Sequence, residues 1–372
     1  MNNNQIIENI IEGKTNILVY KVKESKKGPG SKDDLPFYNP TMELNRDLSV
    51  LVCQWLVNKN KKKVTVLDGL AASGIRGIRL ANEIVGDLEI TVNDWNIDAY
   101  DLIRKNIDNL KLKKIFASNR NLNTLLSEKK YDYIDVDPFG SPVYFIDSAV
   151  RGINNDGIIA VTATDTATLC GTYPKVCLRR YGAIPYHSIA MKEIGLRILL
   201  GFICKEAGKY DKGIKPIASY CTDHYFRAYI QIINGTSRAN DSMKNYSIIN
   251  SNDIFPLKNE NIDIGPLWLG KIQNKKIIKE LRTMLFKKQI NTKNELWKLL
   301  DLLEEEADGS NFFYETDKLA SIFNKSPPKM EFIFKKLKDK GYNVYRTHFS
   351  SIGFKTNAPK SEIEKVFKIN QI

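Results

Sequence analysis

The chain has 372 residues, of which 42% are hydrophobic, and this content is enough to build more than one folded core. Its formal net charge of +13 suits a polyanionic partner such as nucleic acid or an acidic membrane surface. No apolar run approaches the roughly 20 residues that span a bilayer, and the first residues lack the pattern of a secretory signal, so we expect no membrane-embedded segment. Five cysteines without paired spacing indicate a reducing, cytoplasmic compartment.

The first segment with a distinct character is rich in Lys, Gly and Pro and runs from residue 20 to residue 36. It predicts an exposed basic loop, which serves equally well as a solvated connector or as an RNA contact.

From residue 64 onward, short apolar runs alternate with segments of helical periodicity. The runs VTVLD, EITVND, YDYIDV and DGIIAVTA predict strands, and the segments between them predict helices. This alternation predicts an α/β fold with a mostly parallel sheet and helices on both faces. Because such folds bind ligands at the carboxyl ends of their strands, we expect the functional residues there.

The last third of the chain has a different pattern. KPIASYCTDHYFRAYIQI predicts a pair of late strands, and residues 234–253 form a polar stretch without clear periodicity. Four amphipathic helices and a strand-like segment follow, which predicts a smaller α+β, winged-helix-like unit. We therefore expect a catalytic domain over residues 1–245 and a C-terminal domain over residues 246–372.

A glycine-rich turn follows the first of these predicted strands. Asp68 ends the strand, and Gly69 and Gly74 leave room for backbone amides to face a ligand at the start of a helix. The sequence does not match the phosphate-binding P-loop. The turn alone is compatible with dinucleotide, flavin or S-adenosylmethionine binding.

Asp94 ends the next predicted strand. A carboxylate at that place can accept hydrogen bonds from both ribose hydroxyls of an adenosine-containing cofactor. The alternative is an ordinary aspartate that caps the following helix.

The segment Asp137-Pro138-Phe139-Gly140 follows the apolar run YIDV. Methylation of an aromatic amine requires its nitrogen lone pair, which the ring delocalises. A carboxylate that accepts the amine N–H, together with a nearby carbonyl, opposes this delocalisation, and an adjacent aromatic ring can stack on the base. A plain β-turn is the competing interpretation.

Upstream, the segment LPFYNPTMELNRDLSV combines aromatic residues with Arg46 at the start of a helix. Phe37 and Tyr38 could wall a base or adenine pocket. The alternative is a hydrophobic staple with a helix cap.

Several motifs occur together in a fixed order. They are FYNPxMxLNRDLS, LDGLAASGIRGIR, DPFGSP, TDTAxLCG, DHYFR and GPLWLG, between about residues 37 and 270. In this order they resemble the tRNA (guanine-N2)-dimethyltransferase family, which modifies guanine 26. The resemblance implies a class I, Rossmann-like methyltransferase domain, S-adenosylmethionine as cofactor, and a C-terminal domain that binds tRNA.

The resemblance also implies roles for single residues. Arg46 and Arg76 would bind the cofactor, most directly through its carboxylate, and Asp94 would bind its ribose. Asp137 would be the catalytic carboxylate, with Phe37 and a second ring enclosing a flipped guanine.

That second ring is Phe139, which follows Pro138.

Two positions depart from the family. Asn121 and Leu122 stand where relatives carry an acidic residue and alanine beside the adenine; Asn121 can still bond the adenine amine. Relatives often carry cysteine pairs for zinc, whereas this chain has no cysteine after Cys221. We therefore expect no metal, and we expect a monomer.

The residues from Thr164 to Thr166 resemble the edge of the family's pocket, but their role is open.

Three other functions compete with the leading hypothesis. A related base or protein N-methyltransferase shares the Asp-Pro-x-aromatic motif, and a nucleotide-binding dehydrogenase shares the glycine turn. A non-enzymatic RNA-binding protein would explain the net positive charge but none of the other features.

Overall fold

The computed structural model describes residues 7–20, 36, 38–222, 224–254 and 261–368. Residues 21–35 of the predicted basic loop lie outside the described residues, and so does Phe37. Within these ranges the chain begins with an antiparallel hairpin of β1 (Ile7–Glu12) and β2 (Thr15–Tyr20).

A seven-stranded sheet lies at the centre of the molecule, with spatial order β5-β4-β3-β6-β7-β9-β8. Strands β3 to β7 pair in parallel, and β9 is antiparallel to both of its neighbours. The strands are β3 (Val64–Asp68), β4 (Leu88–Asn93), β5 (Ile115–Ser118), β6 (Tyr131–Val136), β7 (Ile153–Ala163), β8 (Lys212–Cys221) and β9 (Phe226–Asn234).

Helices cover both faces of this sheet, as expected for strands that are apolar on both sides. Ile134 packs into one hydrophobic cluster, while its neighbour Tyr133 packs into another on the opposite face. The helices are α1 (Glu43–Lys59), α2 (Ile75–Glu83), α3 (Ile97–Leu110), α4 (Leu122–Glu128), α5 (Val143–Gly152), α6 (Thr166–Leu169), α7 (Pro174–Tyr181), α8 (Met191–Gly208) and α9 (Thr236–Met243).

The C-terminal part adds one hairpin and a small α+β unit. Its elements are β10 (Tyr246–Asn250), β11 (Asp263–Trp268), α10 (Lys275–Leu285), α11 (Lys293–Glu306), β12 (Tyr314–Glu315), α12 (Thr316–Phe323), α13 (Met330–Lys338), β13 (Val344–Arg346), β14 (Gly353–Thr356) and α14 (Lys360–Lys368). The order of helix, strand, two helices and hairpin, with β14 between β12 and β13, is that of a winged helix.

The C-terminal part contains two kinds of packing. Leu281 of α10 and Leu300 of α11 share a hydrophobic cluster with α1, on one face of the large sheet. Leu319, Ile333 and Phe354 instead form a separate small core. The domain boundary near residue 245 stays a prediction, and the packing adds that α10 and α11 lie against the catalytic sheet.

The polar stretch 234–253 is more regular than its sequence indicates. It contains α9 and β10, although its sequence shows no clear periodicity. The helix packs closely on β8: a Cβ at Gly213 would lie 2.3 Å from the carbonyl oxygen of Arg238. The Ser242 hydroxyl also accepts the Ile214 N–H at 2.9 Å. Tertiary packing thus forms a helix that the local pattern does not predict.

At the open edge of the sheet, a side chain takes the place of another strand. Gln273 accepts the backbone N–H of Ser219 at 3.1 Å and donates to the carbonyl oxygen of the same residue at 2.6 Å. The backbone N–H of Asn274 then bonds to the Ile217 carbonyl at 2.8 Å. Part of the edge of β8 is therefore covered.

Candidate active site at the carboxyl edge of the sheet

The glycine turn connects β3 to α2. The backbone N–H of Gly69 donates to the carbonyl of Asp135 at 3.0 Å, and a Cβ at Gly69 would lie 2.9 Å from that oxygen. Gly74 has a φ of +78°, in the left-handed region that favours glycine. Glycine is therefore required at both predicted positions. At Gly69 the reason is the close approach of another backbone, and at Gly74 it is the positive φ.

Asp68 stabilises the glycine turn through a hydrogen bond to the start of α2. Its carboxylate accepts the backbone N–H of Gly77 in the first turn of α2 at 2.8 Å. Asp68 is buried, and burial raises its pKa to about 7 even though Arg76 opposes this rise. The structure therefore gives Asp68 a structural contact, and its predicted contact with a cofactor stays a prediction.

Asp94 lies beside the same turn. One carboxylate oxygen accepts the backbone N–H of Ala72 at 2.8 Å, and the other accepts that of Asn96 at 3.0 Å. The backbone N–H of Trp95 also bonds to Asp94, and because an ionised carboxylate offers roughly four acceptor positions, some capacity is left for a ligand. Burial raises the pKa of Asp94. The indole of Trp95, which directly follows, is 76% exposed.

Asn121 and Leu122 begin α4 at the end of the neighbouring strand. The Asn121 side chain caps the helix by accepting the N–H groups of Asn123 at 3.0 Å and Thr124 at 3.3 Å. Leu122 is buried, and its methyl groups lie against Gly69. The structure thus brings this pair to the glycine turn.

The Asp137-Pro138-Phe139-Gly140 turn follows β6, next to β3 in the sheet. Pro138 is buried, whereas the ring of Phe139 is 54% exposed. Gly140 has a φ of +80° and is hydrogen-bonded to Thr164 at the end of β7. The turn therefore presents an aromatic ring from a fixed backbone.

Arg76 joins the cofactor turn to the Asp137 turn. One terminal nitrogen donates to Asn45 and to Ser49, both at 2.7 Å, and the other forms an ion pair with Asp137. Its Nε lies 3.3 Å from Asp135. The family resemblance assigns Arg76 to the cofactor. The structure shows that Arg76 also contacts Asp137, the predicted catalytic carboxylate.

Arg46 points to a different partner. Its guanidinium is buried and pairs with Glu12 of β1, with an Nε to Oε2 distance of 2.8 Å. It also donates to the Asn39 carbonyl at 3.0 Å and lies over the ring of Tyr38. Burial works against ionisation of Glu12, but Arg46 and Arg79 together outweigh this effect and lower its pKa. Arg46 therefore ties the N-terminal hairpin to α1, and its predicted cofactor contact stays a prediction.

Two buried charges beneath the site were missed in the sequence analysis. Asp135 and Arg227 are both fully buried and form two hydrogen bonds, at 3.0 and 2.6 Å. Burial would raise the pKa of Asp135, but Arg227 and Arg76 hold it below its ordinary value. Asp135 lies in β6, two residues before Asp137, and this close pair of aspartates is a signal the sequence does contain.

The segment from Thr164 to Thr166 has a structural role. Asp165 accepts the hydroxyl of Tyr181 at 2.8 Å and pairs with Arg180 at 3.2 Å. The Tyr181 hydroxyl in turn accepts that of Ser141 at 3.0 Å. These contacts link α7 to the Asp137 turn.

The described ranges contain neither a cluster of metal ligands nor a helix that could span a membrane. No group of three or more His, Cys, Asp or Glu side chains there could hold a metal ion. No helix in those ranges is long and apolar enough to cross a bilayer.

Strand order, glycine turn, Asp94 and the aromatic Asp-Pro turn together define a class I methyltransferase. The family model described as N2,N2-dimethylguanosine tRNA methyltransferase matches residues 13–368. The chain belongs to this family.

Curated relatives agree over nearly the whole chain. A tRNA (guanine(26)-N(2))-dimethyltransferase of Pyrococcus furiosus is 39% identical, over 96% of this chain and 98% of that protein. One of Methanobrevibacter smithii is 37% identical, over 91% and 92%. The solved complex of Trm1 from Pyrococcus horikoshii with S-adenosyl-L-methionine has a TM-score of 0.86 and 34% identity, and it covers 96% of this chain and 99% of that one.

These comparisons confirm the family, the enzyme class and the fold that the motifs predict. The Rossmann-like sheet with an additional C-terminal unit is the architecture of the similar solved structure. The alternatives of a dehydrogenase and of a non-enzymatic RNA-binding protein fall away. The roles of the individual site residues remain to be tested.

Proposed function

We propose that this protein transfers methyl groups from S-adenosylmethionine to the exocyclic N2 of guanine 26 in tRNA and so forms N2,N2-dimethylguanosine. The observation that carries the proposal is the Asp137 turn, which lies beside a cofactor turn and is bridged to it by Arg76. Membership of the family supports the choice of guanine and of tRNA.

The residues at the glycine turn fit the proposed cofactor. S-adenosylmethionine supplies an electrophilic methyl group when it is bound. Asp94 retains acceptor capacity for ribose hydroxyls, and the exposed indole of Trp95 offers a face for the adenine. The buried amide nitrogen of Asn45, beside Arg76, has no hydrogen-bond partner in the described part of the chain. Asn45 and Arg76 form a donor set that suits a carboxylate.

Asp137 is the acceptor for the target amine in this proposal. Its carboxylate is part-exposed and can accept an N–H of the amine, which keeps the nitrogen lone pair available and takes up the released proton. The Pro138 carbonyl is the second acceptor. The exposed ring of Phe139 stacks on the base, together with Phe37, which lies outside the described residues. Stacking of roughly 1–3 kcal/mol per base offsets the cost of extruding the guanine.

The winged-helix-like unit is the proposed second contact for tRNA. Helix α13 exposes Lys335 and Lys338, and the chain as a whole carries a net charge of +13. Such lysines bind phosphates and release counterions. A monomer and a cytoplasmic location remain part of the proposal.

The proposal is tested by incubating the protein with labelled S-adenosylmethionine and unmodified tRNA, followed by digestion to nucleosides. We expect label in N2-methylguanosine or N2,N2-dimethylguanosine, and a tRNA with guanine 26 replaced by adenine should take up none. Label in an adenosine or a cytidine would show a related base methyltransferase instead. Absence of label from tRNA altogether would reject the proposal.

A further inference from the structure

The deepest charges of the site suggest a role for a residue that cannot reach the substrate. We infer that Arg227 is a positioning residue for methyl transfer: by neutralising Asp135, it leaves Arg76 available to hold Asp137. The inference rests on the proposed role of Asp137. It concerns how that carboxylate is held, which the family's motifs do not state.

Both terminal nitrogens of Arg227 are hydrogen-bonded inside the protein, whereas its buried Nε has no hydrogen-bond partner in the described part of the chain. Its two terminal nitrogens bond to Asp135 at 3.0 and 2.6 Å, and the first also donates to the Thr162 hydroxyl at 2.9 Å. The guanidinium carbon lies 4.6 Å from the centre of the Tyr229 ring. With no exposed surface, Arg227 acts only through the groups it contacts.

Arg76 lies between two carboxylates that compete for it. Its terminal nitrogen pairs with Asp137, while its Nε is 3.3 Å from Asp135. Asp135 is completely buried, whereas the side chain of Asp137 is 20% exposed. An unpaired charge costs more free energy in the buried position, where water does not reach it. Without Arg227, Asp135 would therefore draw Arg76 away from Asp137.

The four groups thus form a balanced set of two arginines and two aspartates. Asp135 also accepts the hydroxyl of Tyr133 at 2.9 Å, but a neutral donor does not replace the charge of Arg227. Loss of Arg227 leaves two carboxylates for one arginine. Loss of both Arg227 and the charge of Asp135 restores one arginine for one carboxylate, and that pair is Arg76 with Asp137.

The balance of two arginines and two aspartates predicts that a second substitution restores activity lost by the first. In the full-length protein, Arg227→Gln should lower kcat for tRNA methylation, measured at saturating S-adenosylmethionine, by roughly 100-fold. The double variant Asp135→Asn/Arg227→Gln should recover at least about tenfold of the lost kcat. Arg227→Lys, which keeps the charge, should retain more activity than Arg227→Gln.

A matched control is Arg197→Gln, because Arg197 is also buried and paired, with Glu193 at 2.8 Å, but makes its contacts on α8 and at Trp268. It should lose stability without more than about a threefold change in kcat. Activities are normalised to the fraction of molecules that bind cofactor, so unfolded protein does not count.

Two results would overturn the inference. One is a folded Arg227→Gln variant with kcat near that of the wild type. The other is a double variant whose kcat is no higher than that of Arg227→Gln. If Arg227→Gln does not fold, the contradicting result is a double variant with kcat more than about 100-fold below the wild type. An inactive wild-type protein in the same assay would instead reject the proposed function.

Discussion

Thr164 and Gly140 are joined by two hydrogen bonds that close the Asp137 turn. The Thr164 N–H donates to the Gly140 carbonyl at 2.9 Å, and the Gly140 N–H donates to the Thr164 hydroxyl at 2.7 Å. The end of β7 thereby fixes the backbone that follows Phe139. This relationship gives the threonine of the TDTA motif a physical role.

Replacement of Thr164 by Val should therefore slow methyl transfer. Valine keeps the shape but leaves the Gly140 N–H without its acceptor, so the turn and its aromatic ring lose their fixed position. We expect kcat to fall roughly 10-fold to 100-fold, with S-adenosylmethionine affinity little changed. Thr164→Ser restores the hydroxyl and should restore most of the activity; equal losses in the two variants would contradict this role.

Removal of the Asp137 carboxylate should abolish turnover and spare cofactor binding. Asp137→Ala removes the proposed acceptor of the amine proton, and a loss of roughly 100-fold to 10,000-fold in kcat is expected for such a group. Single-turnover kinetics measures the chemical step, and calorimetry measures the cofactor Kd, which should stay within a few-fold. If both fall together, Asp137 is a binding residue rather than the acceptor.

Substitution of Arg46 should reveal its contact with the N-terminal hairpin. Arg46→Met leaves the buried Glu12 with Arg79, at 3.2 Å, as its remaining charged partner, so the loss of folding free energy should reach at most the roughly 3–5 kcal/mol of a fully broken buried pair. Urea denaturation should show a smaller loss for Glu12→Gln/Arg46→Met, because the buried carboxylate that lost Arg46 is then neutral, and Arg79 still pairs with Asp47 and Glu83.

Cofactor affinity of the same two variants separates structure from binding. If Arg46 also binds the cofactor, the double variant should recover stability but not affinity. Recovery of both would limit Arg46 to its contact with Glu12.

Asp68 should make stability depend on pH in an unusual direction. Burial raises its pKa to about 7 in the folded protein, from an ordinary value of 3.8. Between these two values the unfolded chain releases a proton that the folded protein retains, so the contribution of Asp68 to stability is full below pH 4 and is lost as pH rises toward 7. Its largest size is on the order of 4 kcal/mol.

Asp68→Asn keeps an acceptor for the Gly77 N–H and removes the titration. The difference in unfolding free energy between variant and wild type should therefore grow in favour of the variant from pH 4 to pH 7. Denaturation curves at several pH values measure it. A difference that does not vary with pH would show that Asp68 does not titrate in this range.

The lysines of α13 should govern the salt dependence of tRNA binding. In Lys335→Gln/Lys338→Gln, tRNA affinity should fall, and the slope of log affinity against log salt should become shallower by up to about 0.9 for each lost phosphate contact. Lys61→Gln/Lys62→Gln alters exposed lysines outside the C-terminal unit and should leave the slope unchanged. An unchanged slope in the α13 variant would remove this helix from the interface.

Local sequence patterns predicted the positions of the site but not its connections. The glycine turn, Asp94 and Asp137 each follow a strand that its apolar run makes visible, and parallel pairing brings such strand ends together. The pairing of Asp135 with Arg227 joins residues 92 positions apart and depends on the antiparallel position of β9 beside β7. No local pattern specifies that contact.

The same limit applies to the N-terminal hairpin. The residues of β1 gave no prediction, and the partner that the structure gives Arg46 is Glu12 in that strand. For α9, the polar sequence hid a helix that depends on contact with Gly213. In both cases a distant partner decides the conformation, and no local pattern identifies that partner.

The bonds between Gln273 and Ser219 also bear on how the protein behaves at high concentration. A bare outer strand offers unpaired N–H and C=O groups to a strand of another molecule and so invites aggregation. Here a side-chain amide occupies those groups, and Pro216 nearby has no N–H to offer. Gln273→Ala should therefore leave catalysis intact and shorten the time that concentrated protein stays free of aggregates.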